Sequence, residues 1–120
     1  MALAQTSLGN ITAVSAGQTT SVYTVGSAQT TYVRSLLLYN QSSNNAQTAT
    51  VHIVPNSGGS AGTAATGTRI ARIGISTDDT YFMEFAYPIT LTANGDTVQV
   101  YNEGTSGAIN VLVLGDREGS

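Results

Sequence analysis

An all-β fold, a single antiparallel β-sandwich of about eight strands, is predicted by three observations. No stretch of the sequence carries apolar residues at helical spacing. Glycine and the β-branched residues Thr, Val and Ile recur throughout, and these favour strands over helices. Short runs that alternate apolar and polar residues are separated by clusters of Gly, Asn, Asp and Ser. The chain of 120 residues matches one domain of common size.

The elements follow in order. Ile11–Val14 reads as a weak first strand, and Gln18–Val25 (QTTSVYTV) alternates clearly. Tyr32–Asn40 (YVRSLLLYN) is the strongest apolar run. In Thr48–Val54 (TATVHIV), Val51 and Ile53 share one face and His52 takes the other. Arg69–Ile75 follows a long loop, with Ala71, Ile73 and Ile75 opposite Arg72. Tyr81–Phe85 comes after a turn at Asp78-Asp79, and Tyr87-Pro88 marks a strand break or sheet crossing. Ile89–Thr92 and Thr97–Tyr101 flank Asn94-Gly95, a hairpin signal because both residues tolerate positive φ. Ala108–Leu114 closes the sheet, and the GDREGS ending frays. The sandwich domain spans 11–118, with an N-terminal arm over 1–10 and a tail at 119–120. Jelly-roll and immunoglobulin-like connectivities both fit this pattern.

Two strands are apolar on both faces. Leu36 and Leu38 oppose Leu37 and Tyr39; Val111 and Val113 oppose Leu112 and Leu114. One face fills the core. The other belongs to a central strand in a thick sandwich or to an interface with another chain.

Composition excludes several functions. Only 9% of residues are charged, against roughly 25% in ordinary soluble domains. Such a surface repels neighbours weakly and suits permanent assembly. The net charge is −3, and the only side-chain cations are Arg34, Arg69, Arg72 and Arg117. Four dispersed arginines do not make the basic patch that nucleic acid requires. They suit planar pairing at interfaces. Without cysteine there is no disulfide and no thiol chemistry. No run reaches the ~20 apolar residues of a membrane-spanning helix, and the N-terminus lacks the basic and apolar regions of a secretory signal.

The loop NSGGSAGTAATGTR after Pro55 invites a phosphate-site reading, but Thr68 stands where a P-loop needs lysine, and a strand follows where it needs a helix. His52, the only histidine, has no G-x-S-x-G nucleophile to serve and cannot alone hold zinc. It is expected to be a satisfied or exposed strand residue. Asp78, Asp79 and Glu84 lack the EF-hand pattern. Asp96 is expected to tie down the turn at Asn94-Gly95. The sequons at Asn10 and Asn40 read as chance matches. No catalytic, cofactor-binding or metal-binding residue is assigned, so the chain is not expected to be an enzyme.

Several stretches together resemble the small β-sandwich virion proteins of tailed bacteriophages. They are VHIVP, the GGSAG loop with its Arg-Ile restart, LTANGDTVQVY and INVLVLGDRE, spanning Gln18 to Glu118. That resemblance implies a structural role on a virion: a capsid decoration or cement protein, commonly trimeric, bridging major capsid protein subunits. A tail, neck or baseplate accessory protein is the alternative. A carbohydrate- or host-binding module, built around Tyr81, Asp78 and Asp79, is a further one. No cofactor, nucleic acid or membrane partner is implied. The candidate interface residues are Leu3 and Leu8 on an arm expected to order on a neighbour, Arg34, Arg69 and Arg72, and the amphipathic Tyr32 and Tyr81.

Overall fold

The computed structural model describes residues 4–8 and 10–119, with the backbone alone over 4–7. Its strands are β1 (Ala4–Ser7), β2 (Thr12–Ser15), β3 (Thr19–Thr24), β4 (Gln29–Asn40), β5 (Gln47–Val54), β6 (Arg69–Ile75), β7 (Thr80–Leu91), β8 (Thr97–Asn102) and β9 (Ala108–Gly119). One 3-10 turn, Thr66–Thr68, precedes β6. The all-β sandwich is therefore as the sequence predicts.

The first sheet has the order β1-β9-β4-β7, and β2 also pairs with β9. β1 and β2 lie end to end on one edge of β9, Ser7 opposite Leu114 and Thr12 opposite Val111. The second sheet has the order β3-β8-β5-β6. Among the described residues, only β5 and β6 are both consecutive in the chain and paired across a ladder; every other connection from β2 onward crosses between sheets. This alternation is the jelly-roll connectivity, and it resolves the choice left open by the strand pattern.

The core lies between the sheets. Leu36, Leu38, Ile109, Val111 and Val113 meet Val22, Val51, Val98 and Val100, all buried. Leu37, Tyr39, Leu112 and Leu114 sit on the opposite, outward face and remain partly exposed.

Four expectations need correction. First, GDREGS does not fray: β9 continues to Gly119, opposite Gln29 on β4. β9 has a neighbour on each side, β1 and β4, so its end carries few free ladder groups. The proposed boundary at 118/119 accordingly falls inside a strand, and Ser120 lies outside the described residues.

Second, part of the arm finds its partner within its own chain. β1 pairs with β9, and the Leu8 amide donates to the Val113 carbonyl at 2.8 Å. Leu8 is 1% exposed within the core, which removes it from the candidate interface. Leu3 lies outside the described residues.

Third, Asn94-Gly95 is not a hairpin. It joins β7 to β8, strands of opposite sheets. Leu91 is already paired with Thr31, and Thr97 with Thr24 and Val54, so the flanking strands are not free to pair with each other. The local chemistry is as read: Gly95 has φ +93, and the turn closes through Asp96 N to Ala93 O at 3.0 Å. Asp96 accepts from the Asn56 amide at 2.9 Å, the Asn56 side chain at 3.0 Å and the Ala93 amide at 3.2 Å.

Fourth, Tyr87-Pro88 interrupts a ladder without crossing sheets. The register passes from Val33–Ile89 to Ser35–Glu84, so Phe85–Pro88 bow out opposite Arg34. The proline, which has no N–H to give, sits in this bulge on the edge strand.

Candidate functional site

Two outward faces carry the functional candidates, one on each sheet. On the second sheet the loop 55–68 is neither a phosphate cradle nor a loose connection. It folds back over the outer surface of β5 and β8. The Gln99 side chain donates to the Gly62 carbonyl at 3.0 Å, and the Asn56 side chain accepts from the Gly59 amide at 3.1 Å. Gly62 is required there, because a Cβ would overlap the Pro55 carbonyl oxygen. The backbone then runs through its one 3-10 turn directly into β6, so no helix end faces a phosphate.

His52 is held beneath this loop. Its Nδ1 lies 3.0 Å from the Thr68 hydroxyl. That hydroxyl donates to the Ala65 carbonyl at 2.9 Å and accepts from the Ala65 amide at 3.0 Å. With its proton committed, the hydroxyl accepts from Nδ1, so Nδ1 carries hydrogen and Nε2 carries the lone pair. Burial pushes the His52 pKa below its ordinary 6.5; the Ala65 carbonyl partly opposes this, and Arg69 reinforces it. His52 is a hydrogen-bonded strand residue, as its place in the alternation predicts.

An acid-stability prediction follows. Between its unfolded and folded pKa values, His52 binds more protons when unfolded, so its contribution is present above 6.5 and is lost as pH falls through the folded value. Asp96 and Glu103 act in the same sense at lower pH. Burial raises the Asp96 pKa, but the Asn56 and Ala93 hydrogen bonds outweigh it and leave a net lowering from 3.8. The hydrogen bond from Arg72 lowers that of Glu103 from 4.5. Thermal unfolding followed against pH is expected to lose stability in two stages on acidification. His52→Gln is expected to remove the first stage and leave the second.

The outer face of the first sheet is apolar at one end and charged at the other. Leu37 of β4 stands between Phe82 of β7 and Leu112 of β9, and Tyr39 between Thr80 and Asn110. Phe82 is 51% exposed, and Ile11 beside this patch is 64% exposed. A shallow cavity of about 280 Å³ is lined by Ile11, Leu37, Tyr39, Thr80, Asn110 and Leu112. Toward the other end, Arg34 pairs with Asp116, and the Tyr32 hydroxyl donates to Glu118 at 2.7 Å. That bond raises the Tyr32 pKa above its ordinary value.

The candidate residues therefore divide. Tyr32 and Arg34 share the first sheet's charged end, whereas Arg69 and Arg72 lie on β6 of the second sheet. Arg72 holds Glu103 through two bonds of 2.9 Å. Tyr81 is 42% exposed on the edge strand β7. Asp78 accepts from the Tyr39 hydroxyl, and Asp79 accepts from the Thr80 amide at 2.8 Å. Both carboxylates thus support the turn. Among the described residues no three acidic or histidine side chains cluster as a metal site. Asn40 is fully buried and donates to three backbone carbonyls, so its sequon is closed to modification. Sequence reading missed Thr50 and Gln99, polar strand residues on the second sheet's outer face that are buried, Gln99 beneath the folded-back loop.

These features define a jelly-roll domain with two differentiated outer faces. No known family matches the chain, and no curated protein does. Among the solved structures that share its fold are two of differing origin. One is a chain of the T13 IBDV viral particle, with a TM-score of 0.56 and 10% identity over 98% of this chain and 31% of that one. This chain thus spans about a third of the length of its viral neighbour. The other comes from Bacillus endospore appendages, described as disulfide-linked pili, with a TM-score of 0.51 and 18% identity over 98% of this chain and 88% of that one. The present sequence holds no cysteine with which to form such links.

Proposed function

We propose that this chain is a structural virion protein of a tailed bacteriophage, acting as a decoration or cement protein on the outer surface of the capsid. The observation that carries the reading is the uncovered apolar patch of Ile11, Leu37, Phe82 and Leu112 on the first sheet. A contiguous patch of this kind marks an interaction surface. The jelly-roll fold shared with a virus-particle chain supports the reading, as do the low charge and the resemblance of VHIVP, GGSAG and GDRE to phage virion proteins.

In this reading the patch seats on the major capsid protein, and copies associate as a trimer. Because the seat exists only on the assembled shell, binding shifts the equilibrium toward the intact particle. The role is structural, without a catalytic step. The same face would serve a tail, neck or baseplate protein, and electron microscopy of the virion distinguishes these positions.

The test is co-sedimentation with purified shells of the encoding virus. Wild-type protein is expected to saturate the shells. Phe82→Ser with Leu112→Ser is expected to weaken binding tenfold or more at an unchanged unfolding temperature. Failure of the wild type to bind shells would overturn the capsid assignment. A monomer in light scattering both free and on the shell would overturn the trimer.

A further inference from the structure

The outer face of the second sheet holds a groove that the capsid role does not use. It measures about 260 Å³ and lies between the folded-back loop and strands β3, β5 and β8. Thr50, His52, Arg69 and Tyr101 contribute to its lining, together with Thr19 and Ala64–Thr66. Three features make it more than a crease.

The first is an orphan hydroxyl. Thr50 is fully buried, yet its Oγ1 has no hydrogen-bond partner. A buried polar group without a partner destabilises the fold, so its retention requires an explanation such as a ligand. The second is a cation without an ion pair of its own. Arg72 and Arg34 each pair with a carboxylate, whereas among the described residues Arg69 pairs with none. The third is the hydrogen-bonding versatility of the remaining lining. Thr19, Thr66 and Tyr101 carry hydroxyls that both donate and accept, and His52 offers an Nε2 lone pair because its Nδ1 is committed to Thr68.

We propose that this groove binds one sugar unit bearing a carboxylate. Hydroxyls that donate and accept match the hydroxyls of a sugar ring. The Arg69 guanidinium matches a carboxylate through its planar fork. The Tyr101 ring provides a flat apolar wall. The volume lies just below the roughly 300–1,000 Å³ of sites for drug-sized ligands and suits the seating of about one ring. The Nε2 lone pair calls for a donor, which a sugar hydroxyl supplies and a carboxylate or phosphomonoester dianion alone does not. This site differs from the one expected around Tyr81, Asp78 and Asp79, where both carboxylates are engaged in the turn.

Titration of the whole protein by NMR tests the proposal, with glucuronic acid, N-acetylneuraminic acid, glucose and acetate as probes. At least one sugar acid is expected to shift the amides of Thr50, His52 and Tyr101 and to bind at least tenfold more tightly than glucose or acetate. Arg69→Gln is expected to reduce that affinity tenfold or more, whereas Arg117→Gln leaves it unchanged. Thr50→Val separates binding from folding: it removes the orphan hydroxyl, so the unfolding temperature is expected to hold or rise while affinity falls. No shift with either sugar acid overturns the proposal. Equal binding of glucose overturns the carboxylate, and equal binding of acetate overturns the sugar. Unchanged affinity in both Arg69→Gln and Thr50→Val overturns the location.

Discussion

Replacing Gly115 with alanine is expected to cost about 3 kcal/mol of stability, at the upper end of overpacking substitutions. A Cβ at this position would fall far inside the 3.0 Å that real Cβ atoms keep, against the carbonyl oxygen of Tyr32. Its next neighbours would be the Tyr32 carbonyl carbon at 3.1 Å and the Arg34 amide at 3.2 Å. All three are backbone atoms of β4, which is held on its other side by β7, so no flexible side chain can move aside. The glycine is needed because the register shifts here: Val33 faces Gly115, Ser35 faces Leu114, and Arg34 is left over. Such bulges turn a side chain out of the regular ladder. Gly115 lets the two backbones approach while β4 takes up this extra residue. For a chain of this size the loss corresponds to a fall in unfolding temperature of about 10–15 °C. Thermal unfolding measures it. Gly67→Ala is the control, since a Cβ there meets nothing within 4 Å and φ is not positive; it is expected to leave stability nearly unchanged. An equal fall in both variants would refute the close-approach argument.

Other strands show how much the sequence makes legible. In β5 the alternation placed Val51 inward and His52 outward correctly, because period two is local. The turn chemistry at Asn94–Asp96 was also local and correct. The identity of the strands it joins was not, because pairing depends on partners far away in sequence: Thr31 for Leu91, Val54 for Thr97. The composition of GDREG is that of a turn and predicts a loose end. Its ladder partners, Gln29–Val33, lie more than eighty residues upstream and carry no mark of the pairing. Thr50 and Gln99 fall on the outward side of the alternation, where polar residues ordinarily meet solvent. Gln99 is buried because a glycine- and alanine-rich loop is small enough to lie flat over it, a fold-back that no alternation pattern encodes. The outward apolar residues Leu37 and Leu112 were visible at once. The structure adds that they stand side by side and that Phe82 extends the patch.

Arg34→Ala is expected to cost about 2–3 kcal/mol, and Asp116→Asn about 1 kcal/mol or less, although both remove the same ion pair. The asymmetry comes from burial. The Asp116 side chain is 1% exposed, whereas that of Arg34 is 53% exposed. Truncating the arginine leaves a buried carboxylate without its cation, and one of its oxygens, Oδ1, already lacks a hydrogen-bond partner. Truncating the charge of the aspartate leaves an arginine that water can solvate. Loss of one partner from a fully buried pair costs roughly 3–5 kcal/mol; the exposed arginine side admits water to the carboxylate and brings the expectation below that range. The double variant, Arg34→Ala with Asp116→Asn, is expected to recover most of the Arg34→Ala loss, because it removes the charge that had become uncompensated. Denaturant unfolding of the four proteins gives the cycle. If Asp116→Asn costs as much as Arg34→Ala, or the double variant recovers nothing, the pair is not acting through the burial of Asp116. In that case the bulge at Arg34 has a purely geometric role in seating β4 against Gly115.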